Sequence, residues 1–133
     1  MKKLLPVFIA VLLLVGCAAP AEQESGYRQI TMDEAVAMMN EEKDYIILDV
    51  RTVAEFNENH IPGAINIPNE TIATDEIPEL PDKDQLILVY CRSGNRSKQA
   101  SEKLVKLGYT NVVEFGGIVD WPGETEKNAG GAL

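Results

Sequence analysis

An α/β domain with a mostly parallel five-stranded sheet is predicted for this chain by three features of its sequence. Apolar runs alternate with segments of helical period through most of its length. Two of those runs, YIILDV at Tyr45–Val50 and LILVY at Leu86–Tyr90, are nearly continuous, the pattern of strands covered on both faces. The segments between runs are long enough for the crossovers that parallel neighbours need. A length of 133 residues, 45% hydrophobic and 25% charged, suits one domain with a substantial core.

In chain order, Tyr27–Ile30 reads as a short first strand. Thr31-Met32-Asp33-Glu34 then carries a capping-box signature, in which the threonine hydroxyl takes an N–H three residues on and the glutamate reaches back. It opens a helix with Met32, Val36 and Met39 on one face as core filler. Tyr45–Val50 is the second strand, and Thr52-Val53-Ala54-Glu55 repeats the capping signature, predicting a short helix over 53–58. The Pro62-Gly63 turn leads into a third strand, Ala64–Ile67. Residues 68–85, with Pro68, Pro78 and Pro81, form a long connection with room for one helical turn. Leu86–Tyr90 is the fourth strand. Lys98–Leu107 has small or apolar residues at Ala100, Leu104 and Leu107 and is a helix closed by Gly108 in the left-handed conformation. Val112–Phe115 is the fifth strand. The domain is thus expected over 27–125, with 126–133 as a C-terminal tail.

The first seventeen residues stand apart from this pattern. Lys2 and Lys3 precede a twelve-residue apolar stretch, Leu4–Val15, which is too short for a bilayer core that takes roughly 20 residues. Residues 1–17 read as an export signal. Its end, Leu14-Val15-Gly16-Cys17, resembles the lipobox of bacterial lipoproteins, which implies cleavage before Cys17, lipidation of that cysteine and anchoring at the extracytoplasmic face of the cell envelope. A plain signal peptide with an incidental cysteine is the alternative. Ala18–Gly26, small and polar, reads as a flexible tether.

Twelve basic residues face 21 acidic ones, a net charge of −9, and two of the basic residues lie in the leader. That balance excludes a nucleic-acid footprint, and it makes Arg92 and Arg96 conspicuous. With Cys17 lipidated, Cys91 is the only free thiol. It has no internal disulfide partner, and one cysteine with one histidine cannot build a cysteine-based zinc site; no metal or cofactor is expected.

Cys91-Arg92-Ser93-Gly94-Asn95-Arg96-Ser97 follows the fourth strand directly. Ligands of open α/β sheets sit off the carboxyl ends of strands, and a strand-to-helix turn there gathers backbone N–H groups into an anion-binding nest. Gly94 supplies backbone freedom and Asn95 tolerates left-handed geometry. A thiol at the rim of this nest, beside two guanidiniums, is biased towards its reactive thiolate. A surface turn of solvated charges is the alternative reading.

This loop, together with Asp49-Val50-Arg51, Glu55-Phe56, His60-Ile61-Pro62-Gly63-Ala64-Ile65-Asn66-Ile67-Pro68 and Gly116-Gly117-Ile118-Val119-Asp120-Trp121, resembles the single-domain rhodaneses over nearly all of 28–122. Asn59 departs from the pattern, standing where the family usually has glycine. The resemblance implies a three-layer α/β/α fold and transfer of sulfane sulfur, through a Cys91 persulfide, from a small anionic donor such as thiosulfate to a thiol or other thiophilic acceptor. It assigns Cys91 as nucleophile and the amides of Arg92, Ser93, Gly94, Asn95, Arg96 and Ser97 as anion holders. Arg92 and Arg96 would orient the donor. Arg51 would face the substrate, with Asp49 in support, or the two would pair with one another; His60 belongs to a turn and Trp121 is a packing anchor. Phosphatases and arsenate reductases of the same fold have one residue more between cysteine and arginine than the four, Arg92 to Asn95, present here. A non-catalytic sulfur-carrying or binding module is the third class.

Overall fold

The computed structural model describes residues 26–128; the expectations for the leader, for Cys17, for the tether up to residue 25 and for the last five residues lie outside them. Five strands form one sheet: β1 (Arg28–Gln29), β2 (Tyr45–Asp49), β3 (Ile65–Asn66), β4 (Leu86–Cys91) and β5 (Val112–Gly117). Their spatial order is β1-β5-β4-β2-β3 and every pairing is parallel. All five therefore deliver their carboxyl ends to one edge.

Side-chain parity along β4 divides the core. Leu88 and Tyr90 join Ile47, Val113 and Phe115 on the face covered by helix α1 (Met32–Glu41), through Ala35 with Met32, Met38 and Met39. Ile87, Val89 and Cys91 point the other way, to Leu48, Val50 and Val112, under Ala100 and Leu104 of helix α3 (Asn95–Lys106). This is the three-layer arrangement. Each fully buried Leu or Val on the central strands contributes about 1.5–3 kcal/mol by leaving water, so β2 and β4 are the anchors of the site.

Helix α2 (Val53–Glu58) has the bounds its sequence predicts, and its capping box is complete: Thr52 Oγ1 accepts from Glu55 N–H, and the Glu55 carboxylate accepts from Thr52 N–H. At α1 the box is half made. Thr31 Oγ1 accepts from Glu34 N–H, but Glu34 turns its carboxylate to the Thr31 hydroxyl instead of the backbone. The buried stripe of α1 centres on Ala35 instead of Val36, which is half-buried. The connection 68–85 holds one short 3-10 turn, Asn69–Thr71, and is pinned by Tyr109, whose hydroxyl donates to Leu80 C=O at 2.6 Å.

Helix α3 begins three residues before the expected Lys98. Gly94 is its N-cap at φ 114°, a left-handed conformation closed to most side chains, and no side-chain cap is present. Asn95, Arg96 and Ser97 are consequently the first helical turn. Asn95 takes no left-handed conformation, since the described residues with positive φ are all glycines. At the other end Gly108, at φ 95°, closes the helix as predicted. Past residue 125 the chain still runs against the domain, with Glu126 and His60 exchanging two backbone hydrogen bonds at 2.9 Å.

Candidate active site

Cys91 closes β4, and a register irregularity between Val89 and Cys91 pairs it with Gly117 of β5. The loop then folds back over the sulfur. Gly94 N–H donates to Cys91 Sγ at 3.0 Å, the thiol reaches Ser97 Oγ at 3.4 Å, and the N–H groups of Ser97 and Ser93 lie close enough to favour a charged sulfur. Burial pushes the thiol up, but the Ser97 hydroxyl and the Ser97, Gly94 and Ser93 amides outweigh it, and the net shift is below the ordinary thiol value. Of the inward ring of amides expected from the sequence, Gly94 N–H makes the hydrogen bond to the sulfur, and the Ser97 and Ser93 amides add to its effect. Cys91 lies at the floor of this ring, 1% exposed, and not at its rim.

The backbone of β5 makes this cradle possible. A Cβ on Gly117 would meet Arg92 O at 1.8 Å and Ser93 N at 2.5 Å, so the loop rests on bare glycine. Arg92 C=O accepts from Val119 N–H at 3.3 Å, tying the loop to the turn Ile118–Asp120. Behind the loop stands a residue the sequence reading missed. Glu114 of β5 is buried, and its Oε1 accepts from the Ser97 hydroxyl at 2.7 Å and from Gly116 N–H at 2.8 Å. The only hint in the sequence is a carboxylate inside an otherwise apolar strand, VVEFGG.

The four charged residues expected at the site divide by partner. Arg51 is 3% exposed. Its Nε donates to both Asp49 oxygens at 3.1 and 3.0 Å and its Nη2 to Asp49 Oδ2 and Asn59 C=O, each at 2.6 Å. The pairing expected between Arg51 and Asp49 is made. With these donors spent, it is a brace whose edge lines the neighbouring cleft. Asn66 completes the brace, donating to the carbonyls of Asp49 and Arg51 at 3.0 and 2.9 Å. Asn59 is extended at φ −165°, so the departure from glycine costs no backbone strain.

Arg96, expected to face the donor, forks onto Glu55 at 2.7 and 3.0 Å, linking the first turn of α3 to α2. The hydrogen bond from Arg96, with help from Thr52 and against burial, draws the Glu55 carboxyl from 4.5 down to about 2. A depressed carboxylate stabilises the fold above its unfolded value and loses that contribution as pH falls towards about 2. Since the side chains are about a third exposed, 32% and 30%, the effect is about 1 kcal/mol at most. Glu55→Gln is expected to flatten that acid-side decline in urea-unfolding midpoints, and an unchanged decline would assign it to other groups. Arg92 is exposed, and its side chain forms no hydrogen bond or ion pair with the described residues.

A cleft of about 370 Å³ opens beside the loop, lined by Arg51, Glu55, Glu58, Asn59, Arg92, Ile118 and Val119. A hollow of similar size at the opposite end of the sheet, among Asp44, Asp82 and Asp84, holds no nucleophile. His60 stays out of the site: its Nδ1 bonds Phe56 C=O at 2.8 Å and its ring stacks on Phe56. Because a carbonyl only accepts, Nδ1 carries the proton. Trp121 packs on the α1 face and donates to Glu124 C=O at 3.0 Å, an anchor as expected.

Comparison with known proteins agrees with this geometry. A family model described as a rhodanese-like domain matches residues 31–124. The chain is 40% identical over 73 residues to the thiosulfate sulfurtransferase PspE of Escherichia coli, covering 55% of this chain and 70% of that one. It is 33% identical over 121 residues to an adenylyltransferase and sulfurtransferase of Meyerozyma guilliermondii, covering 85% of this chain but only 28% of that longer protein. A rhodanese-like domain protein from Staphylococcus aureus superposes with a TM-score of 0.63 at 32% identity, covering 75% of this chain and 97% of that one. At the family level these relatives support sulfur transfer, with a sulfur donor and a sulfur acceptor. The chain belongs to the rhodanese-like domain family.

Proposed function

We propose that this protein is a thiosulfate-type sulfurtransferase working through a Cys91 persulfide. The observation that carries the reading is the Gly94 N–H on the Cys91 sulfur at 3.0 Å, with the Ser97 hydroxyl and the neighbouring amides drawing the thiol below its ordinary value. The Cys91 thiolate attacks the outer sulfur of thiosulfate, a new S–S bond forms, the old one breaks, and sulfite leaves with the electron pair. The persulfide carries its transferable atom about 2 Å beyond Sγ, where the amide ring stabilises its negative charge. An acceptor thiolate then attacks that outer sulfur and returns Cys91 as thiolate. Arg92 lines the cleft with its side chain in no ion pair, and is free to attract an anionic donor.

The phosphatase reading fits less well, because Arg96 is held by Glu55 and is not free to close around a tetrahedral oxyanion. On incubation with thiosulfate, the protein is expected to gain the mass of one sulfur atom on Cys91 and to leave an aryl phosphate intact. Phosphate release without sulfur uptake would overturn the assignment. We place this chemistry at the outer face of a bacterial membrane, with residues 1–17 as the export signal and Cys17 as the lipidated anchor.

A further inference from the structure

The Ser97 hydroxyl lies between two groups that become anionic. Its oxygen is 2.7 Å from Glu114 Oε1 and 3.4 Å from Cys91 Sγ, and both Ser97 and Glu114 are buried. A hydroxyl has one hydrogen to give. While Cys91 is a thiol, its S–H donates to Ser97 Oγ, and the serine hydrogen serves the charged Glu114 oxygen at 2.7 Å ahead of the neutral Gly94 and Gly116 carbonyls at 2.9 and 3.4 Å. Once the sulfur is a thiolate, it can only accept. To serve it, Ser97 must turn its hydrogen away from Glu114, whose Oε1 then keeps only the Gly116 N–H at 2.8 Å. Ionising Cys91 therefore costs Glu114 a charge-assisted hydrogen bond and sets two anions near one another in a dry site.

We propose that Glu114 is a positioning residue that restrains ionisation of Cys91 by competing with it for the Ser97 hydroxyl hydrogen. The cation that acts on Cys91 is Arg96, and its charge, which favours the thiolate, is shared with Glu55. Tyr27 shares the buried α3 face with Cys91. No lysine or arginine among the described residues pairs with Glu114, since Arg51 is on Asp49 and Arg96 on Glu55. Arg92 and Lys98 are exposed. The loop amides thus promote the thiolate while Glu114 limits it.

The inference deepens the proposed sulfur chemistry and rests on Cys91 as its nucleophile, but its test reads Cys91 directly and does not need turnover. Ultraviolet thiolate absorbance is titrated against pH in the full chain, as the difference from Cys91→Ala so that Cys17 cancels. Glu114→Gln is expected to move the thiolate midpoint down by about one pH unit, a tenfold rise in the thiolate-to-thiol ratio at fixed pH. Ser97→Ala is expected to move it up, and in the Ser97→Ala background Glu114→Gln should shift it much less. A Glu114 that merely supports the loop would lower sulfur uptake at every pH with the midpoint unmoved, which overturns the proposal. An equal shift in both backgrounds overturns it too, because Glu114 would then act without Ser97. Should Glu114→Gln fail to fold, an unmoved midpoint in Ser97→Ala alone refutes it.

Discussion

Cys91→Ser is expected to slow sulfur transfer from thiosulfate to a thiol or cyanide acceptor by roughly 10³-fold or more, since the step loses its only nucleophile. A serine hydroxyl inherits the Gly94 N–H and the Ser97 contact but does not ionise in that ring at neutral pH. The fold should persist, because the substitution removes no buried partner, and an unchanged urea-unfolding midpoint serves as the control. Steady-state rates of the two proteins, measured side by side, decide the matter, and equal rates would remove the loop from the chemistry. A pure sulfur carrier gives a different result: native protein loads one sulfur but does not turn over, and Cys91→Ser loads none.

Gly117→Ala is expected to be the most damaging conservative change in the domain. Gly117 has φ −142°, ordinary extended backbone, so conformation is not at issue. The new methyl carbon would lie 1.8 Å from Arg92 O, 2.2 Å from Arg92 C and 2.5 Å from Ser93 N. These are backbone atoms, and they yield only if the whole loop shifts. Overpacking of this sort costs about 3 kcal/mol, and the shift drags the Ser93 and Gly94 amides off the sulfur. Both unfolding midpoint and sulfur uptake should fall, and a variant that keeps both would show the loop to be free of β5. Gly108→Ala is the comparison: unlike Gly117, Gly108 has positive φ but nothing within 4 Å of its Cβ, so the variant should lose some stability and keep its chemistry.

Where the sequence could be read and where it could not follows the range of the interactions. Helix α2 has its predicted bounds because Thr52 and Glu55 settle its start within three residues. The start of α3 was misplaced because its cap is Gly94 itself, with no Ser, Thr, Asp or Asn side chain to announce it. Asn95-Arg96-Ser97 therefore resembles loop in sequence and is helix in space. The amide ring was legible, being made within seven residues of chain. The depth of Cys91 was not, because it depends on Gly117 lying under Arg92. Arg96 pairs with Glu55 across 41 residues and Ser97 with Glu114 across 17, and no local pattern signals either. Glu55 was visible only in its capping role, which left its second partner hidden.

The strand order has a consequence for the making of the protein. β5, the last strand among the described residues, is inserted between β1 and β4. Until it arrives, the first strand has no neighbour, and the segment that bears Cys91 lacks both Gly117 beneath it and Glu114 behind it. Pairings between such distant segments form slowly, because loop closure precedes any gain from contact. A nascent or threaded chain therefore cannot present a finished sulfur site, and the nucleophile matures only once the final strand has slotted home.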